Sequence, residues 1–167
     1  MDLIKAIKTR RSIREFSFRR LSKKHLELLV DSARFAPTAR NIQPWQFIVI
    51  TKKDTLKRLS EFADNARFLK DACACIVVFC KETKYYLEDG SSATQNILLT
   101  ATSLGIGSCW IAGDKKPYAE EVKRLLGVPA DYRLVSLVAL GYPKKGKRAF
   151  YVAEKKDLKE IIHWERF

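Results

Sequence analysis

The feature that most constrains this chain is an unbroken apolar run, Ala74-Cys75-Ile76-Val77-Val78-Phe79-Cys80. It is far too short to cross a bilayer, which takes roughly 20 apolar residues as a helix. It also lacks the polar positions that an amphipathic helix or a half-exposed strand would turn to solvent. The run therefore reads as a buried strand, and such a strand needs cover from other elements.

The remaining sequence supplies that cover. Residues 2–8 read as a short helix with Leu3, Ile4 and Ile7 on one side. Ser22 is placed as an N-cap, with Leu21 and Leu26 spaced for a hydrophobic staple. The helix behind it carries the stripe Leu26, Leu29, Val30 and Ala33, and Pro37 ends it. Residues 45–50 read as an apolar strand, and 52–64 as a helix with Leu56, Leu59 and Ala63 inward. The longest helix, 88–104, would face inward through Ala93, Ile97, Thr100, Ala101 and Leu104, with Gly105 where a terminating glycine belongs. A short strand at 108–112, a helix at 117–126 closed by Gly127, and a strand at 132–141 follow. A short helix near Trp164 ends the series. No repeat or linker divides the chain, so residues 1–167 read as one domain. Interleaved helices and strands predict an α+β or mixed-sheet three-layer fold, with the strand order left open.

The formal net charge is +13, and the cations crowd toward both ends. Arg10, Arg11, Arg14, Arg19 and Arg20 stand in the first stretch, and Lys144, Lys145, Lys147, Arg148, Lys155, Lys156 and Lys159 in the last. Such a balance suits anionic partners: phosphate cofactors, nucleic acid or anionic membrane. No helix-turn-helix, zinc-finger or aromatic RNA-binding pattern accompanies it, so a nucleic-acid module is the lesser alternative. With no apolar signal core at the N-terminus and no spanning segment, neither membrane nor export is expected, and the cytoplasm is the default location. The four cysteines, Cys73, Cys75, Cys80 and Cys109, have neither zinc nor iron–sulfur spacing and read as structural thiols. No metal site is expected, and no His, Cys or Ser stands out as a catalytic residue.

Three segments carry chemistry. Arg10-Arg11-Ser12-Ile13-Arg14 packs three guanidiniums and a hydroxyl into five residues, a donor set suited to phosphate oxygens. A second segment runs Ala36-Pro37-Thr38-Ala39-Arg40-Asn41-Ile42-Gln43-Pro44-Trp45 and places amides beside an aromatic strand; a rigid two-proline turn explains it equally well. The third joins Gln95-Asn96 to Leu104-Gly105-Ile106-Gly107-Ser108-Cys109-Trp110-Ile111-Ala112-Gly113, where two close glycines let backbone approach something flat or crowded. It lacks the third glycine and the strand-then-helix order of a dinucleotide fingerprint.

In this order and spacing the three segments resemble the nitroreductase family of FMN enzymes, over nearly the whole chain from about Ile4. The resemblance implies a mixed, largely antiparallel central sheet flanked by helices, in a homodimer with the flavin site at the interface. It implies that Arg10, Arg11, Ser12 and Arg14 grip the FMN phosphate, and that Pro37, Thr38, Ala39 and Asn41 reach the flavin from the partner subunit. Trp110, Ile111, Ala112 and Gly113 would back the isoalloxazine, with a main-chain N–H near flavin N5. Asn65 and Arg67 would meet the pyrimidine edge, and Lys155 and Lys156 would return to the phosphate. The implied activity is electron transfer from NAD(P)H to nitroaromatic, quinone or similar small acceptors in ping-pong order. Dehalogenation, dehydrogenation and flavin modification are the alternatives on the same fold. The short connector at 81–87 marks the compact type, without the extra helical cover of larger members. One helix, spanning 22–35 and about 20 Å long at 1.5 Å per residue, separates the phosphate segment from the proline turn. A straight helix there would keep the two apart within one chain.

Overall fold

The computed structural model describes residues 1–62, 64–144 and 154–167. Ala63, Lys145, Lys147 and Arg148, all named above, lie outside the described residues. The elements are α1 (Leu3–Thr9), α2 (Lys23–Ala33), β1 (Trp45–Ile50), α3 (Lys53–Glu61), β2 (Ala74–Lys81), α4 (Tyr86–Ser103), β3 (Gly107–Ala112), α5 (Ala119–Leu126) and β4 (Tyr132–Gly141). Short 3₁₀ segments cover Ala39–Asn41, Asp64–Asp71 and Leu158–Glu160.

The four strands form one sheet in the order β1-β2-β4-β3, and every pairing between them is antiparallel. A single parallel bridge, Ser12 to Ser108, makes the sheet mixed at its β3 edge. The apolar run of β2 lies at the centre between β1 and β4, buried along its length up to Lys81. Its even and odd residues feed separate cores. Cys75, Val77 and Phe79 join Leu56, Leu59, Leu69 and Val122 under α3, the 64–71 segment and α5. Ala74, Ile76, Val78 and Cys80 join Leu26, Leu29, Ala93 and Ile97 under α2 and α4. The sheet is thus the middle of three layers, and the expected α+β architecture is present.

Local signals explain several element ends. Ser22 accepts from the His25 amide at 3.2 Å and starts α2, with Leu21 and Leu26 both packed in the α2–α4 core. Gly105 and Gly127 sit at φ values of 70° and 67° after α4 and α5, a left-handed geometry that suits glycine. Two expectations need correction. On α1, Leu3, Ile4 and Ile7 do not pack inward; they are 48–64% exposed, and only Ala6 of that helix is buried. On α4, Thr100 and Leu104 are half-buried, whereas Asp89, Gly90, Thr94 and Leu98 are buried with the expected Ala93, Ile97 and Ala101. The last segment forms only the Leu158–Glu160 turn, and Leu158, Ile161, Ile162, Trp164 and Phe167 all stay exposed.

Candidate functional site

The basic segment after α1 is fastened to the open edge of β3. The Ile13 amide donates to the Ser108 carbonyl at 2.9 Å, and the Ser17 amide to the Tyr142 carbonyl at 2.8 Å. Ile13 and Phe16 turn inward, which leaves Ser12 and Arg14 exposed on the outside. Two glycines make room for this. A Cβ on Gly107 would stand 2.9 Å from Ile13 Cγ2, and one on Gly141 would stand 2.8 Å from Phe16 Cδ1. The crowding expected around Gly107 is therefore supplied by the chain's own N-terminal segment. Gly105 serves the helix end instead.

The charges gather there. Arg14 lies with its guanidinium 5.7 Å from the Phe68 ring centroid, so the 64–71 segment touches the phosphate segment through Phe68, while Arg67 of that segment lines a surface hollow with Lys57, Ser60 and Glu61. Burial pushes the Cys109 thiol up, and the nearby Arg14, the Ser12 hydroxyl and Arg10 pull against that shift. Neither Arg10 nor Arg14 forms an ion pair among the described residues. Arg11 instead donates to the Lys8 and Arg10 carbonyls at 2.8 and 2.6 Å, a helix-end role.

The strand β3 contributes backbone. Because the Ser108 carbonyl points outward to Ile13, the alternation of an antiparallel ladder also turns the N–H groups of Trp110 and Ala112 outward. Ile111 faces the other way, with its side chain in the core. The Ala112 carbonyl accepts from the Tyr118 hydroxyl. Gly113 has a packing reason of its own, since a Cβ there would meet Leu134 Cγ at 2.5 Å.

The proline turn is built differently and elsewhere. Arg40, Asn41 and Gln43 have φ values of 54°, 55° and 51°, left-handed conformations that cost about 1–2 kcal/mol each for non-glycine residues. Bonds within the turn hold this shape: the Gln43 amide donates to Thr38 Oγ1 at 3.1 Å, and Gln43 Nε2 to Asn41 Oδ1 at 3.0 Å. Pro44 then docks on the sheet through its carbonyl, which accepts from the Lys81 amide at 2.8 Å. Thr38 Oγ1 and the Ala39 amide donate to the two oxygens of Asp89, at 2.9 and 3.2 Å. Thr38 and Ala39 thus use those donors within the chain, while Pro37 and Asn41 remain exposed. Sequence reasoning passed over Asp89. An acid in the first turn of a helix suits the helix dipole, and nothing in its neighbours signals burial.

The candidate residues therefore fall into two groups. Arg10, Ser12 and Arg14 share the β3 side with Trp110, Ile111, Ala112 and Gly113 and with the segment carrying Asn65 and Arg67. The turn with Pro37, Thr38, Ala39 and Asn41 is held instead at the start of α4, by Asp89, whose neighbour Gly90 packs on Val135 and Cys80. Ser108 pairs with Leu140 and Trp45 with Cys80, itself paired with Arg133. At about 3.4 Å per residue along β4 and about 4.8 Å per strand, Ser108, beside Ser12, and Trp45, where the turn enters β1, stand roughly 25–28 Å apart, whereas Ala112, paired with Ser136, lies nearer the turn's end of the sheet. Lys155 and Lys156 are exposed on the last segment. Asn96, part of the third motif, donates to the Ser32 carbonyl at 3.1 Å and ties α4 to α2.

Known proteins share this chain's sequence pattern and fold. A profile of the nitroreductase family matches residues 7–75 and 65–142. A protein of Archaeoglobus fulgidus, provisionally named an NADH dehydrogenase/NAD(P)H nitroreductase, is 40% identical over 99% of both chains. An FMN-dependent nitroreductase from Clostridium difficile superposes with a TM-score of 0.90 at 30% identity, covering 98% of this chain and 99% of its own. A provisionally named nitroreductase from Desulfovibrio desulfuricans, solved in complex with FMN, superposes at 0.86 with 25% identity, covering 100% and 98%. The motifs, the three-layer fold and these likenesses converge, and the chain belongs to the nitroreductase family.

Proposed function

We propose that this protein is an FMN-dependent oxidoreductase that takes electrons from NAD(P)H and delivers them to small organic acceptors such as nitroaromatics or quinones. The observation that carries the reading is the outer edge of β3, where Arg10, Ser12 and Arg14 gather without carboxylate partners among the described residues. The outward N–H groups of Trp110 and Ala112 continue the same edge. This donor set fits a mononucleotide: a phosphate suits the guanidiniums and hydroxyl, and a flat ring suits a row of backbone donors. The Clostridium difficile and Desulfovibrio desulfuricans relatives carry FMN in their names, and the Archaeoglobus fulgidus relative carries NAD(P)H.

When bound, FMN supplies two-electron chemistry that no side chain here provides. The chain's own tasks are narrower. Arg10 and Arg14 hold the phosphate by charge, with Lys155 and Lys156 as further cations. Ser12 adds a hydroxyl donor. Trp110 or Ala112 offers a main-chain N–H at the ring, and Asn65 and Arg67 approach its polar edge. An open face lets donor and acceptor take turns in ping-pong order. The overall positive charge draws in the anionic nicotinamide nucleotide.

The site is completed by a second copy of the chain. The turn carrying Pro37 and Asn41 enters the sheet at the end away from the phosphate segment, and two-fold pairing would bring each turn to the other's phosphate grip. The exposed Leu3, Ile4 and Ile7 of α1, with Ile161, Trp164 and Phe167 of the last segment, provide apolar surface for such pairing. Titration of the protein into FMN, followed by flavin fluorescence, tests the core of the reading. Saturable quenching and NADPH-driven quinone reduction are expected; absence of saturable FMN binding overturns it.

A further inference from the structure

The strained turn at 38–43 is not self-sufficient, and its anchor is a single buried side chain. Three residues within four positions hold left-handed backbone without a glycine among them. Local bonds stitch the turn to itself, and among the described residues the two side-chain bonds that tie it to α4 both end on Asp89. Asp89 is 4% exposed, and both its oxygens accept. No cation pairs with it among the described residues. Its place near the start of α4 sets it at the positive end of that helix. Gly90 makes the place possible. A Cβ there would stand 2.7 Å from Val135 Cγ2 and 2.9 Å from Cys80 Sγ, so the first turn of α4 lies hard on the sheet with Asp89 beside the turn.

We propose that Asp89 is a positioning residue: its carboxylate clamps Thr38 and the Ala39 amide, and through them fixes the direction in which Asn41 is offered to the flavin. The inference rests on the reading that this turn completes a flavin pocket. A buried carboxylate linked to no cation is a costly device for merely closing a surface loop. It does suit a loop whose strained geometry must be held before a ligand arrives. Thr38 relays the hold. Its hydroxyl donates to Asp89 while its oxygen accepts the Gln43 amide, so release at Asp89 loosens both ends of the turn.

The test uses the full-length protein with Asp89→Asn, which keeps the shape but leaves one acceptor oxygen for the two donors, the Thr38 hydroxyl and the Ala39 amide. Thr38→Val removes the relay from the other side and stands in should Asp89→Asn fold poorly, and Thr38→Ser keeps the hydroxyl as the conservative control. Val122→Ala, in the opposite core, controls for lost stability alone. Two quantities are read: amide exchange at Ala39 and Gln43 without flavin, and FMN affinity. Asp89→Asn and Thr38→Val should each speed exchange in the turn, leave β2 and β4 protected, and weaken FMN by about tenfold. The double variant should be little worse than either single one, because both break the same link. Thr38→Ser should behave as wild type, and Val122→Ala should lose stability with FMN affinity unchanged. Unchanged exchange at Ala39 and Gln43 in both single variants overturns the clamp. Faster exchange with FMN affinity intact, while Asn41→Ala weakens FMN, overturns the positioning role and leaves the flavin reading standing. If Asn41→Ala also leaves FMN affinity intact, the assignment of the turn to the flavin is what fails, and the proposal falls with it.

Discussion

The 10–14 segment and the 38–43 turn are both short, polar and exposed, yet they are held by opposite means. The first is fastened through its backbone and through Ile13 and Phe16, which sink beside Gly107 and Gly141. The guanidiniums of Arg10 and Arg14 are left without acidic partners among the described residues. The second carries its tension in the backbone, with three left-handed residues, and is tied by polar bonds to a buried acid. One region relies on charge awaiting a ligand, and the other on shape fixed in advance. Salt, mutation and subunit exchange should therefore act on them differently.

The largest effect should come from exchanging subunits. An Arg14→Ala chain and an Asn41→Ala chain, each inactive alone, should regain activity when unfolded and refolded together. Half of randomly paired dimers are mixed, and each mixed dimer has one intact site, so recovery of about a quarter of wild-type activity is expected. No recovery from demonstrated mixed dimers would mean that each chain builds its own site. Next in size, Arg14→Ala should remove a charge-assisted contact of about 1.5–3 kcal/mol and weaken FMN tenfold or more. The two regions should part in salt. Binding of FMN by wild type should weaken as salt rises, Arg14→Ala should flatten that dependence, and Asn41→Ala should keep it. Equal salt dependence in all three would erase the distinction between charge and shape.

A smaller effect is expected at Gly107. Gly107→Ala should cost about 1–3 kcal/mol by forcing a methyl group against Ile13, with melting temperature lowered and FMN weakened together. An unchanged melting temperature would show that the N-terminal segment gives way at little cost. The mildest probe is thiol labelling near neutral pH. Cys75 and Cys80 are buried, and desolvation pushes both thiols up to about 12, so they should resist alkylation until the chain unfolds. Cys73 is partly exposed and should react in the folded protein. Cys109 lies behind Ile13 and should react faster in Gly107→Ala than in wild type. Early labelling of Cys75 in wild type would contradict the packing of β2.

These contrasts also explain what could be read from the residues beforehand. The run at 74–80, the stripe on α2 and the terminal glycines of α4 and α5 are local patterns with a single geometric outcome, so three layers followed from them. Arg10, Ser12 and Arg14 stood out as a dense cluster of cations and a hydroxyl, a pattern that on its own is common on protein surfaces and gained meaning only beside the other two segments. The inward N-terminal helix face was misread because Leu3, Ile4 and Ile7 show amphipathic spacing but not which surface they meet. Asp89 was invisible for a related reason. Its burial depends on Gly90, Cys80 and Val135, three residues that the sequence keeps apart and only the packing of α4 on the sheet unites. The left-handed backbone at Arg40, Asn41 and Gln43 was equally hidden, since only Asn among these residues favours that region.

The bridge between Ser12 and Ser108 and the pairing of Phe16 with Pro143 join the beginning of the chain to strands made near its end. Contacts of such long sequence separation form late, because the intervening chain must be ordered before they reward closure. On a ribosome, the N-terminal segment emerges first yet has no surface to settle on until β3 and β4 have been synthesised and paired. Its arginines spend that interval as a free basic arm. On the proposed reading, the competence to hold a phosphate is acquired only when the central sheet is complete, and a chain truncated before β4 would lack it.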